Sequence, residues 1–160
     1  MANDQELRQH LARLLDWEDA HVGLDAAVAG LPDALRGRQP PGLPYSPWQL
    51  LEHIRLAQHD ILEFCRDPGY RPGRWPDDYW PAAPSPPGPE AWDASVAEIR
   101  RDCKALKALA TDDALDLLAA IPHGSGQTYL RELLLAADHT AYHVGQIVVV
   151  RRLLGSWDAA

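Results

Sequence analysis

Between Asp67 and Glu90 the chain carries eight prolines and three glycines. No regular helix persists at that density, because proline removes a backbone donor and clashes with the preceding turn while glycine is costly to order. The same stretch holds Tyr70, Trp75, Tyr79 and Trp80, which is more apolar surface than a solvated linker carries. It is therefore expected to be an ordered crossover that lays its aromatics on the rest of the protein. Its 24 residues, at about 3 Å each, can return the chain along the whole of a helix about 30 Å long. The helices on either side of it can then run parallel.

Those flanking helices are well marked. Ser46-Pro47-Trp48-Gln49 is a helix start, with Ser46 as N-cap, Pro47 at the first helical position and Gln49 placed to close a capping box. From there Leu50, Ile54, Ala57, Ile61 and Phe64 form one face up to Asp67-Pro68-Gly69. After Pro89, Trp92, Val96, Ile99, Cys103 and Leu106 recur at steps of four and three until Thr111-Asp112, predicting another helix. Upstream, His10, Leu14, Trp17, His21, Leu24, Val28 and Leu31 keep the same rhythm. They predict one helix from about Asn3 to Leu31, capped by Asn3 or Asp4 and stopped by Gly30 and Pro32. Downstream, Ala114 to Gln127 reads as a short extended or turn-like connector broken by Pro122, Gly124 and Gly126. A last helix from about Thr128 to Leu154, with Gly155 as its stop, is apolar nearly all round. Such a helix needs cover on most sides.

The expected fold is all-α: a four-helix bundle with one long crossover between the second and third helices. At 160 residues, 46% hydrophobic and 24% charged, residues 1–160 suit a single globular domain with its own core. The formal charge of −8 opposes nucleic-acid binding, which needs concentrated cations. The paired arginines Arg100-Arg101 and Arg151-Arg152 are short, scattered clusters that suit solvated helix faces. The N-terminus lacks a basic flank and an apolar run, and no uninterrupted apolar window reaches eighteen residues. Neither a signal peptide nor a membrane span is expected, and the cytoplasm is the expected compartment. Cys65 and Cys103, both within predicted helices, read as buried thiols.

Chemistry concentrates in Asp138-His139-Thr140-Ala141-Tyr142-His143-Val144-Gly145-Gln146. Four helical residues advance the chain by about 400°, so His139 and His143 project from one face about 6 Å apart. That spacing suits two ligands of one metal ion, and it equally suits two ordinary core or surface histidines. His53 lies about 10 Å into its helix and His143 about 17 Å from the end of the last one. If those helices are antiparallel, His53, His139 and His143 can meet. Three neutral imidazoles with an open position would form a catalytic rather than a structural metal site; hydrogen-bonded histidines within the bundle are the alternative.

Trp48-Gln49-Leu50-Leu51-Glu52-His53-Ile54, the Pro-rich crossover, and Asp138-His139 through His143-Val144-Gly145-Gln146-Ile147 together resemble the DinB/YfiT-like superfamily of metal-binding four-helix bundles. The resemblance covers nearly the whole chain. It implies an up-down-down-up bundle, frequent homodimers, and zinc or nickel held by one histidine of the second helix and two of the last. Those positions fall on His53, His139 and His143. It also implies chemistry on a small molecule, by transferases or isomerases that use low-molecular-weight thiols or by hydrolases, without choosing among them.

Other residues are weaker candidates. His21, on the inward stripe of the first predicted helix, could orient a ligand or be a satisfied core histidine. His59, six residues after His53 and so about 240° around the helix, should point elsewhere, and His123, among turn residues, should be solvated. Glu52 and Asp138 each adjoin a proposed ligand but diverge from it by about 100°, so surface charge or packing is their expected role. Tyr142 and Gln146 could line a pocket mouth, with packing the stronger reading for Tyr142; Trp48, Trp75, Tyr79 and Trp80 could wall a substrate cavity or simply cover the bundle. No general base is evident, which favours thiol or Lewis-acid chemistry over a carboxylate-dependent hydrolysis. A non-catalytic metal- or small-molecule-binding bundle and an assembly module remain the competing functions.

Overall fold

The strongest local signal in the sequence is also the best-formed helix end. In the computed structural model, which describes residues 2–157, Ser46 accepts from the Gln49 backbone and the Gln49 side chain reaches back to the Ser46 N–H, closing the capping box. The helix that follows is one of six among the described residues: α1 (Ala2–Leu14), α2 (Leu24–Val28), α3 (Asp33–Arg36), α4 (Pro47–Arg66), α5 (Ala91–Thr111) and α6 (Tyr129–Leu153). A 3-10 turn occupies Asp77–Tyr79 within the crossover. The protein is all-α, with four main helices, α1, α4, α5 and α6, packed together and no strand among the described residues; Ala120 and Thr128 form an isolated bridge.

The core has two parts. Near the start of α4, Leu50, Leu51 and Ile54 pack with Trp92, Val96 and Ile99 of α5 and with Val144, Ile147 and Val150 of α6. Toward the end of α4, Ile61 and Leu62 pack with Leu106 and Ala110 of α5, Leu133 and Ala136 of α6, and Leu11 of α1. Buried arginines tie off helix ends. Arg8 donates to the Ala110 carbonyl in the last turn of α5 and to the Asp112 and Leu115 carbonyls beyond it, and Arg151 donates to Ala27 and Ala29 at the end of α2. At the end of α6, Gly155 adopts φ +67, with Gly155 N–H on Arg152 O and Ser156 N–H on Arg151 O. That paired pattern is why a glycine is the stop there.

The expected single helix over 3–31 is broken. The helical segment ends at Leu14 and resumes as α2 at Leu24. A straight 29-residue helix would extend about 43 Å, longer than the 21-residue α5 at about 31 Å, and would carry its second half past the core. Asp16, Glu18 and Asp19 also crowd the C-terminal end of α1, where the helix dipole disfavours acids. After the break, Ala27, Val28 and Leu31 fold onto the first core cluster. His21 therefore lies in an exposed connector, its Nδ1 beside its neighbour's carbonyl, not on an inward stripe. His123 departs from expectation too: it is half-buried, and its Nε2 meets the Phe64 carbonyl at 2.7 Å.

By length and hydropathy alone, α6 is long and apolar enough to cross a membrane. In the bundle its apolar residues are unevenly covered. Leu133, Ala136, Ile147 and Val150 are buried, whereas Leu134, Val149 and Leu153 are exposed.

Ser46 has a second role, because its hydroxyl also donates to the Pro84 carbonyl of the crossover. Ser46→Ala is expected to cost about 1–2 kcal/mol, at the upper end for a lost N-cap, with Ser46→Thr recovering most of it. Urea denaturation of the three proteins measures this, and an unchanged Ala variant would contradict the assigned role.

Candidate metal centre

Three side chains along the first two turns of α4 and its N-cap hold the crossover. The Ser46 hydroxyl bonds Pro84 O, Gln49 Nε2 donates to Pro81 O at 3.1 Å, and His53 Nδ1 meets Tyr79 O at 2.9 Å. As α4 advances, the crossover recedes residue by residue, so it lies along the first half of α4 in the reverse direction. This places Trp80 flat on the His53 ring, centroids 3.8 Å apart at 10°, with Tyr45 stacked on the far face of Trp80 at 4.1 Å and 15°. His53 is 1% exposed.

Across from it, His139 and His143 stand on one face of α6. One ring nitrogen from each of His53, His139 and His143 lies within 4.8 Å of the other two. His139 Nε2 is 3.0 Å from His53 Nε2. A carbonyl only accepts, so the bond to Tyr79 O puts the proton of neutral His53 on Nδ1 and leaves a lone pair on Nε2. His143 is set the same way, with Nδ1 donating to Gln146 Oε1 at 2.7 Å. Tetrahedral zinc, with Zn–N of about 2.0–2.1 Å, needs nitrogens about 3.3 Å apart, within the observed range. The donor set fits a divalent metal ion, and the bonds on the far nitrogens are the kind that orient metal-ligating imidazoles.

Burial pushes the His53 and His139 imidazoles down to about 4 from 6.5; the bond to Tyr79 works against this in His53, while His143 and His53 reinforce it in His139. His143 is lowered as well, chiefly by burial, with its bond to Gln146 acting the other way. All three are therefore neutral at neutral pH, the state in which imidazole can ligate. Among the described residues no carboxylate or thiol joins the group.

A sequence model of the DinB superfamily matches residues 16–147, a span that contains the crossover and all three histidines. The chain belongs to the DinB superfamily. No curated protein and no solved structure matches it. In this DinB-superfamily protein the residues singled out from sequence fall into place unevenly. Glu52 is buried and held by Arg55 and Ser95, and Asp138 is exposed, so neither turns toward the imidazoles. His59 points to Asp102 on α5, 2.9 Å away. Trp48 and Tyr79 are buried, whereas Trp75 and Tyr142 are 69% and 63% exposed, so Tyr142 flanks His143 instead of packing in the core. Both cysteines are free thiols, Cys65 buried and Cys103 half-buried.

Two contributors to the site escape sequence reasoning. Tyr45 reaches it only through Trp80, and the Tyr79 carbonyl is backbone, which leaves no side-chain signal. The Gln146 bond to His143 was within reach, since residues three apart on a helix are neighbours.

The lowered imidazoles give the metal-free protein a pH signature. Between pH 6.5 and about 4 the unfolded chain takes up protons that the folded His53 and His139 do not. Stability should therefore fall as pH falls through that window and level off below it. Chelator-treated protein, unfolded in urea at a series of pH values, is expected to show a steeper decline than His139→Gln. Identical slopes would mean that the rings are not held neutral.

Proposed function

We propose that this DinB-superfamily protein binds one divalent ion, zinc or nickel, through Nε2 of His53, His139 and His143, and uses it to transform a small molecule. The observation that carries this reading is the convergence of three neutral imidazoles, two buried and one half-buried, with no carboxylate, thiol or fourth imidazole beside them among the described residues. A closed structural zinc site takes four protein ligands. When bound, such an ion supplies Lewis acidity, polarising a coordinated oxygen or sulfur and making it easier to deprotonate.

The chain's own residues do the rest. Tyr79 and Gln146 hold two imidazoles in the ligating tautomer, and Trp80 shields the face of His53 from water. The exposed rings of Trp75 and Tyr142 offer apolar contact to the organic part of a substrate at the mouth. With Glu52 held by Arg55 and Ser95, and Asp138 facing solvent, no carboxylate is placed as a general base. This favours thiol-dependent transfer, with a low-molecular-weight thiol as co-substrate, over hydrolysis. Three neutral ligands also leave the ion's charge uncompensated, which suits an anionic thiolate.

The proposal extends to architecture: an up-down-down-up bundle in a single cytoplasmic domain that binds neither nucleic acid nor membrane. Its support is that the start of α4 shares a cluster with the start of α5 and the second half of α6. A homodimer is proposed through the exposed side of α6 at Val149 and Leu153; sedimentation at micromolar concentration is expected to report a dimer, and a strictly monomeric protein overturns that part.

Elemental analysis of wild type and His143→Ala tests the site: about one equivalent of metal is expected in the first and at least a tenfold drop in the second. Equal content would remove His143 from it. His53→Ala should lose metal while remaining helical by circular dichroism, because both core clusters persist without it. Turnover by the metal-loaded protein with a panel of thiols and electrophiles separates an enzyme from a bundle that only binds metal.

A further inference from the structure

The break between α1 and α2 creates something a continuous helix would have filled. The connector over residues 15–23 walls a cavity of about 1040 Å³ together with α5 and α6. That is the upper end of the size range of pockets for drug-sized molecules. Ion pairs from Lys107 to Asp16 and from Arg100 to Asp25 fasten the connector's two ends to α5. The cavity lies away from the imidazoles. It borders Ala137, Ala141 and Val144 of α6, and Ala141, two residues from both His139 and His143, is about 160–200° around the helix from each. None of the three histidines lines it.

Its floor is apolar, formed by Leu15, Ile99, Ala137 and Val144, with one exception: Gln58 of α4. Gln58 is 3% exposed, and its amide N–H₂ donates to the Ile99 carbonyl at 2.7 Å. Its Oε1 accepts no hydrogen bond from any described residue, and it is open to the cavity rather than sealed in the core. Water in the cavity can reach that oxygen, and a ligand hydroxyl or N–H at that point would take the water's place as its donor. Charge at the rim selects little: Arg100 and Lys107 are already paired, and the other charges along the lining, Lys104, Glu18 and Asp138, are of both signs.

We propose that this cavity is a second binding site, independent of the metal centre, for a small uncharged molecule with an apolar body and one hydrogen-bond donor directed at Gln58 Oε1. The chemistry is that of a phenol or an alcohol. The claim stands whether or not the histidines bind metal.

Fluorine NMR titration of chelator-treated protein with 4-fluorophenol and 4-fluoroanisole tests it, since the two probes differ in the donor. Saturable binding of both is expected, tighter for the phenol by about two- to tenfold, the worth of one net hydrogen bond. Gln58→Leu should abolish that preference, Ala141→Trp, on the exposed wall, should weaken both probes at least tenfold, and added zinc should change neither affinity. Absence of saturable binding overturns the proposal, as does binding undiminished in Ala141→Trp or displaced by zinc. So does a wild type that binds neither probe while Ala141→Trp splits a dimer, which would make a second copy the occupant.

Discussion

The hydrogen bond from His53 Nδ1 to the Tyr79 carbonyl joins the two parts of the protein that the site cannot do without. It crosses from α4 to a crossover with almost no regular structure, and at 2.9 Å it fixes which His53 nitrogen carries the proton. The tethers from Ser46 and Gln49 bring the crossover alongside α4 before His53 is reached. Trp80 then closes over the ring. A chain so rich in proline loses less conformational entropy when it docks than an ordinary loop would, so its few hydrogen bonds and stacked rings suffice to order it.

Burial and charge work together at the imidazoles. Removing water from His53, His139 and His143 favours their neutral forms, and two of the three far nitrogens have acceptors that aim the lone pairs inward. The bundle does not need an ion to hold these rings, because clusters of buried leucine, isoleucine and valine lie around the site and beyond it. Each such side chain contributes about 1.5–3 kcal/mol on burial. On the proposed reading, an ion bound here would therefore serve reactivity rather than close around protein ligands to stabilise the chain.

Much of this was legible in the sequence, for reasons that can be named. The cap at Ser46, the glycine at 155 and the heptad-like rhythm of α4 and α5 are local signals, and local chemistry decides them. His53, His139 and His143 could be brought together by counting rise per residue, because helices are regular rulers. The first 31 residues misled because their apolar spacing continues through Trp17 and His21, while the length of the neighbouring helices, a tertiary quantity, sets where α1 must end. The crossover's contribution was only half visible: its aromatics announced packing, but backbone carbonyls such as those of Tyr79, Pro81 and Pro84 carry no sequence mark. The cavity under the connector was invisible for the same reason as the break that makes it.

In the proposed site three imidazoles, and no other protein side chain, hold one ion. X-ray absorption at the zinc edge of the zinc-loaded protein tests it directly. About three imidazole nitrogens are expected at about 2.0–2.1 Å, completed by a light atom from outside the chain. A sulfur shell at about 2.3 Å, or fewer than two imidazoles, would contradict it.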